Sequence, residues 1–157
     1  MRASNDFTLR ACRYRDLNHI LALEEVAFAD SPYSRPDFIY LLRRARDGFM
    51  IAEEDGRLLG YVIAVGEGGV GMIQSIAVSP EFRKKGVGEV LMKSAVDHLA
   101  KYEQICLLVD TNNMAAISLY YKFSFEETGR IIKGYYRNGD DAVEMVRTKA
   151  APGNQSG

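Results

Sequence analysis

The chain has 157 residues, 47% apolar and 26% charged, which is the size and composition of one globular domain with its own core. Twenty Lys+Arg against 21 Asp+Glu argue against a surface made for nucleic acid, and two Cys and two His exclude a disulfide framework and a four-thiolate zinc site. No apolar run approaches the ~18 residues of a membrane span and MRASNDF lacks the apolar centre of a secretion signal, so a soluble cytoplasmic protein with reduced thiols is expected.

Residues 7–13 alternate and predict a strand. Leu17, Ile20, Leu21, Glu24 and Phe28 follow helical spacing over residues 15–28. Ser34, Pro36 and Asp37 then form a capping-box-like start for a second helix, ending near Arg46. Residues 49–53 and 58–65 read as strands joined at Asp55-Gly56, a hairpin signal. Residues 66–69 read as a flexible loop, and residues 72–78 as a strand stopped at Ser79-Pro80. A helix over residues 87–102 follows, then a short strand at 104–109 and a helix at 114–123. Strands at 125–133 and 142–147 flank a turn-rich loop. The order predicts an α/β (α+β) fold with one sheet and helices on both faces. Residues 1–147 form the expected single domain, and 148–157 a flexible, polar tail.

The segment between the fourth strand and the third helix carries the most chemistry. Arg83, Lys84 and Lys85 lead into Gly86-Val87-Gly88, where the helix begins. A helix N-terminus offers unpaired N–H groups and partial positive charge, and glycine lets a ligand approach the backbone. These features suit a pyrophosphate, while an ordinary basic loop is the plainer alternative. The turn lacks the Gly-Lys-Ser/Thr of an ATP-binding loop, and Leu91 stands where the dinucleotide fingerprint needs its third glycine. A nucleotide-bearing cofactor other than ATP or NAD fits better.

Three segments carry a family resemblance. IQSIAVSPEFRKKGVGEVLM (residues 73–92) resembles motif A of the GNAT acyltransferases, with Arg83, Gly86 and Gly88 at its key positions. NMAAISLYYKFSF (113–125) resembles the family's Asn-x-x-Ala-Ile-x-Leu-Tyr-x-Lys-x-Gly-Phe. IKGYYRNGDDAVEM (132–145) resembles the closing signature of the protein N-alpha-acetyltransferase branch, which includes RimI-like and archaeal enzymes. The resemblance implies the GNAT fold, a central mixed seven-stranded sheet with about four helices on its two faces. It also implies acetyl-CoA as donor, CoA as product, and protein or peptide N-termini as acceptors, with presentation by the ribosome or a partner subunit left open. Nothing in it calls for nucleic acid, membrane or metal.

By the same resemblance, backbone groups of Ile76, Ala77 and Val78 pair with the pantetheine arm. Arg83, Lys84, Lys85, Gly86, Val87 and Gly88 hold the pyrophosphate. Asn113 faces the cofactor, caps its helix, or does both. Tyr120 is the general acid for the CoA thiolate, against the alternative of a core-edge aromatic, while Tyr121 reads as packing. Phe28, Pro32 and Tyr33 line the substrate's first residue, Gln74 reaches it from the cofactor strand, and Tyr135 and Tyr136 bind its backbone.

Departures accompany the match. Leu108 stands where relatives often have a Glu or His base, and Asp110 where they have arginine. Asp30, Glu24, Glu25 or a water chain remain as bases, each acidic residue having a solvated surface charge as its plainer reading. An α-amine with a pKa of about 7.7–8.0 needs less help than a lysine near 10.4. Ser124 replaces a family glycine and is expected to take a left-handed conformation. Cys12 and Cys106 read as buried thiols, and His19 and His98 as surface residues. The alternatives are acetylation of a small amine or lysine, and a non-catalytic acetyl-CoA-binding module.

Overall fold

A computed structural model describes residues 6–28 and 33–149. Its elements are β1 (Thr8–Ala11), α1 (Leu17–Ala27), α2 (Arg35–Ala45), β2 (Phe49–Glu54), β3 (Arg57–Glu67), β4 (Val70–Val78), α3 (Val87–His98), β5 (Gln104–Asp110), α4 (Met114–Lys122), β6 (Glu126–Ile132) and β7 (Ala142–Thr148). Both order and type agree with the sequence reading. The seven strands form one sheet in the order β1-β2-β3-β4-β5-β7-β6. Every neighbouring pair is antiparallel except β4 and β5, which run parallel with α3 as their crossover.

Two cores follow from strand alternation. One face of β2 and β3 sends Phe49, Ile51, Tyr61 and Ile63 against Leu17, Ile20 and Leu23 of α1 and Phe38 and Leu41 of α2. The other face sends Ala52 and Val62, joined by Ile73 of β4, against Leu91, Met92 and Ala95 of α3 and Ile117 and Tyr120 of α4. Ser34 caps α2 as expected: its Oγ accepts from the Asp37 N–H, while the Ser34 N–H donates to the Asp37 carboxylate at 2.8 Å.

Two details differ from expectation. The stretch at 66–69 is a tight hairpin, not a flexible loop: Glu67 pairs with Val70 across Gly68 and Gly69. Both glycines have positive φ, 62° and 86°, which a two-residue turn matched to strand twist requires. Helix α3 ends at His98, four residues early, because a turn at Leu99–Tyr102 leads directly into β5. At the far end β7 reaches Thr148, and the Lys149 N–H donates to the Glu103 carbonyl at 2.8 Å.

Candidate functional site

The site begins at a break in the sheet. β4 and β5 pair only at Gly71 with Ile105 and Met72 with Cys106. On its other side, β4 shifts register against β3: Ile63 opposes Ser75 and Ala64 opposes Ile73, so Gln74 is one residue too many. Such a bulge bends a strand and raises its twist. From Gln74 to Val78 the β5-facing edge of β4 therefore has no strand partner among the described residues. Ile76 and Val78 rest partly buried on the α3/α4 core, and Ala77 is buried on the α1/α2 side.

At the end of this edge, the turn to α3 bends through Lys84 (φ 67°) and Gly86 (φ 83°). Among the described residues no side chain caps α3, and its first backbone bond runs from the Val90 N–H to the Gly86 carbonyl at 3.1 Å. The amides of Val87, Gly88 and Glu89 thus have no partner within the helix. Of the three cations, Arg83 donates to the Val78 carbonyl at 3.3 Å, and the Lys85 ammonium lies 5.5 Å from the Phe82 ring centre. They brace the turn, and all three cations are exposed. An unpaired strand edge running into uncapped helix amides suits an extended, amide-bearing ligand that ends in a diphosphate.

Helix α4 borders the gap from the β5 side. Asn113 caps it, accepting from the Ala116 N–H at 3.1 Å. About two turns later comes Tyr120, 5% exposed, with its ring 6.1 Å from that of Phe125. Ser124 takes φ 69°, as expected, and lets the Phe125 N–H return to the Tyr120 carbonyl. Burial, and then the Tyr136 phenol, push the Tyr120 hydroxyl's pKa far above the usual tyrosine value.

Two loops flank the gap. From the head of α2, Tyr33 is half-buried and its hydroxyl donates to the carbonyl of the bulged Gln74 at 3.5 Å. Phe28 is half-buried against the α1/α2 core, while Pro32 and Asp30 lie outside the described residues. From the β6–β7 loop, Tyr135 is exposed and its ring meets Tyr136 edge-on at 5.0 Å. Burial raises the Tyr136 pKa to about 12, with Tyr135, Asp110 and Tyr33 adding to it. That loop is fastened to the end of β5, since the Thr111 N–H donates to the Asp141 carbonyl and the Gly134 N–H to its carboxylate. Asp110 and Asp140 interact there. Burial raises Asp110, with Asp140 reinforcing the shift; Asn112 and then Asp110 hold Asp140 below the usual range.

Several expectations change. Glu24 is no solvated helix charge: it is 2% exposed, and its carboxylate accepts from the Tyr61 hydroxyl and from the Tyr33 N–H at 3.3 Å. Burial raises its pKa, partly offset by those two hydrogen bonds. Tyr61 and Ser75, hydrogen-bonded at 3.1 Å, complete a polar group that the sequence reading left out. Tyr121 is not packing; it is 49% exposed and donates to Glu127 at 2.7 Å. Cys106 is only half-buried, because alternate β5 residues face away from the core, whereas burial raises the Cys12 thiol to about 12. Glu25, His19 and His98 are exposed, and Leu108 is half-buried on β5 with nothing to accept a proton. Among the described residues no His, Cys, Asp and Glu gather as a metal site.

The acetyltransferase (GNAT) family pattern matches residues 14–125. An N-alpha-acetyltransferase of Saccharolobus solfataricus is 31% identical over 90% of this chain and 93% of its own. A putative ribosomal protein bS18-alanine N-acetyltransferase of Bacillus subtilis is 33% identical over 87% and 92%. The fold of Ard1 from Thermoplasma volcanium superposes with a TM-score of 0.87 at 23% identity, over 93% of this chain and 99% of that one. The interrupted ladder, the uncapped amides and the matched sequence agree: the chain belongs to the GNAT acetyltransferase family and is an acetyl-CoA-dependent enzyme.

Proposed function

We propose that the chain transfers the acetyl group of acetyl-CoA to the N-terminal α-amine of protein or peptide chains, with Tyr120 as general acid. The acceptor class rests on one observation above others. Two aromatic loops flank the gap: Tyr33, its hydroxyl bonded to the Gln74 carbonyl, on one side, and the edge-on pair Tyr135–Tyr136 on the other. The slot between them admits a flexible chain end more readily than a side chain on a folded surface. The two curated relatives described above carry names of the same activity.

In this reading the edge from Ile76 to Val78 pairs with the pantetheine amides, and the amides at Gly86–Gly88 meet the diphosphate. Tyr33 and Phe28 line the pocket for the acceptor's first residue. Gln74, Tyr135 and Tyr136 hold its backbone. Tyr120, kept protonated by burial, donates to the sulfur as negative charge collects there. Residues 1–147 act as one domain in the cytoplasm; among the described residues no helix is long and apolar enough to cross a membrane.

Short peptides of varied first residue, each with a free or a blocked N-terminus, test the acceptor class. CoA release is expected only with free termini. Equal release from blocked, lysine-bearing peptides would move the reading to side-chain acetylation. Replacing Tyr135 and Tyr136 together by Ala is expected to raise the peptide KM about 10-fold or more, with acetyl-CoA affinity unchanged. Loss of acetyl-CoA affinity instead would place that loop on the donor side.

A further inference from the structure

Glu24, Tyr61 and Ser75 form a polar group that adjoins Tyr33 and the bulged Gln74. Glu24 sits on the buried stripe of α1 with Leu17, Ile20 and Leu23. A carboxylate there is costly unless it is hydrogen-bonded or paired. Its hydrogen bonds come from a phenol and a backbone amide rather than from a cation. Tyr61, fully buried on β3, donates to Glu24 and also lies 3.1 Å from the Ser75 Oγ, where either oxygen can be the donor. Ser75 is half-buried and directly follows the bulged Gln74. Three oxygens thus run from a buried carboxylate to a hydroxyl at the bend that opens the gap. Tyr33 ties both ends: its N–H is bonded to Glu24 and its hydroxyl to the Gln74 carbonyl.

We infer that Glu24, acting through Tyr61 and Ser75, is the proton sink for the acceptor amine, the task for which Leu108 has no suitable group. This rests on the proposed transfer to an amine. The ammonium gives one proton to the Ser75 oxygen, the Ser75 proton moves to Tyr61, and the Tyr61 proton moves to Glu24. The freed lone pair attacks the thioester carbonyl, so the C–N bond forms and the C–S bond breaks. The sulfur takes the Tyr120 proton, which the nitrogen's second proton replaces. Amide, thiol and protonated Glu24 result, and Glu24 returns its proton along the same chain once product leaves. Glu24 does not touch the amine. It is a positioning residue that also stores the proton, and burial raises its affinity for that proton. Among the described residues, the titratable groups facing it are the Tyr61 phenol from β3 and, from the head of α2, Tyr33, on which Tyr135 and Asp37 act in turn.

The test compares wild type, Glu24→Gln, Tyr61→Phe and the double variant on the amine that wild type acetylates. It reads kcat/KM from about pH 6 to about pH 9, acetyl-CoA affinity and Tm. Glu24→Gln is expected to lower kcat/KM on the order of 10-fold at pH 7, and the loss narrows above the amine pKa of about 7.7–8.0, where the amine arrives neutral. Tyr61→Phe repeats that profile, the double variant adds no further loss, and acetyl-CoA affinity is unchanged. Should Glu24→Gln fail to fold, Tyr61→Phe decides alone. A loss that is the same at every pH means a merely structural role and overturns the inference, as does no loss. If wild type acetylates only lysine side chains, the proposed acceptor class falls, while the same variants on lysine still read the relay, with the narrowing moved toward about pH 10.4. No turnover on any amine overturns both.

Discussion

Tyr120→Phe is expected to lower kcat about 10²-fold, the lower end of what a positioned proton donor contributes, or about 2.7 kcal/mol of barrier. The ring stays, so its packing on Phe125 and the α3/α4 core is kept, and Tm should hold. Acetyl-CoA affinity should hold too, because the strand edge and the uncapped amides of α3 are untouched. Single-turnover kinetics with a peptide acceptor, alongside equilibrium binding of acetyl-CoA, separate these terms. A kcat equal to wild type removes the general-acid role and leaves Tyr120 as a packing residue.

Phe38→Ala is expected to cost about 3–5 kcal/mol, the usual range for emptying a buried phenylalanine site. Phe38 is fully buried, with Tyr33, Phe49 and Tyr61 around it at ring distances of 5.3, 6.2 and 5.9 Å. A domain with a typical stability of about 5–15 kcal/mol keeps little margin after such a loss. Two of those neighbours belong to the slot and to the relay beneath it. Activity should therefore fall even where the variant still folds, whereas Phe38→Leu, which empties less of the site, should spare more of both. Urea denaturation measures the stability term. A cost below about 1 kcal/mol would mean that α2 is not anchored through this ring.

Periodicity and turn chemistry carried most of the fold. The stripe Leu17, Ile20, Glu24 was visible as helical spacing, yet Glu24 read as solvated because carboxylates are rarely buried unpaired. Its partner Tyr61 is 37 residues away, beyond any local pattern. The bulge at Gln74 did leave a trace: Ile73 and Ile76, three apart, both face the α3/α4 core, where an unbroken strand would turn one of them over. The Gly66–Gly69 run looked like slack chain, because flexibility and a two-residue hairpin both call for glycine; only the pairing of Glu67 with Val70 separates them. The basic turn was legible as charge but not as geometry. Nothing in Arg83-Lys84-Lys85 says that Arg83 reaches back to Val78 or that Lys85 covers Phe82.

The short ladder between β4 and β5 has a thermodynamic consequence. With two residue pairs joining the halves of the sheet, the strands on either side lean on the α3/α4 core for their mutual alignment. On the proposed reading, the donor lies along that edge as a removable eighth strand. Its concentration then becomes a term in the protein's own stability, about 2.7 kcal/mol at a hundredfold its dissociation constant. A donor that splints the sheet before an acceptor enters favours an ordered sequence of binding, with the peptide second.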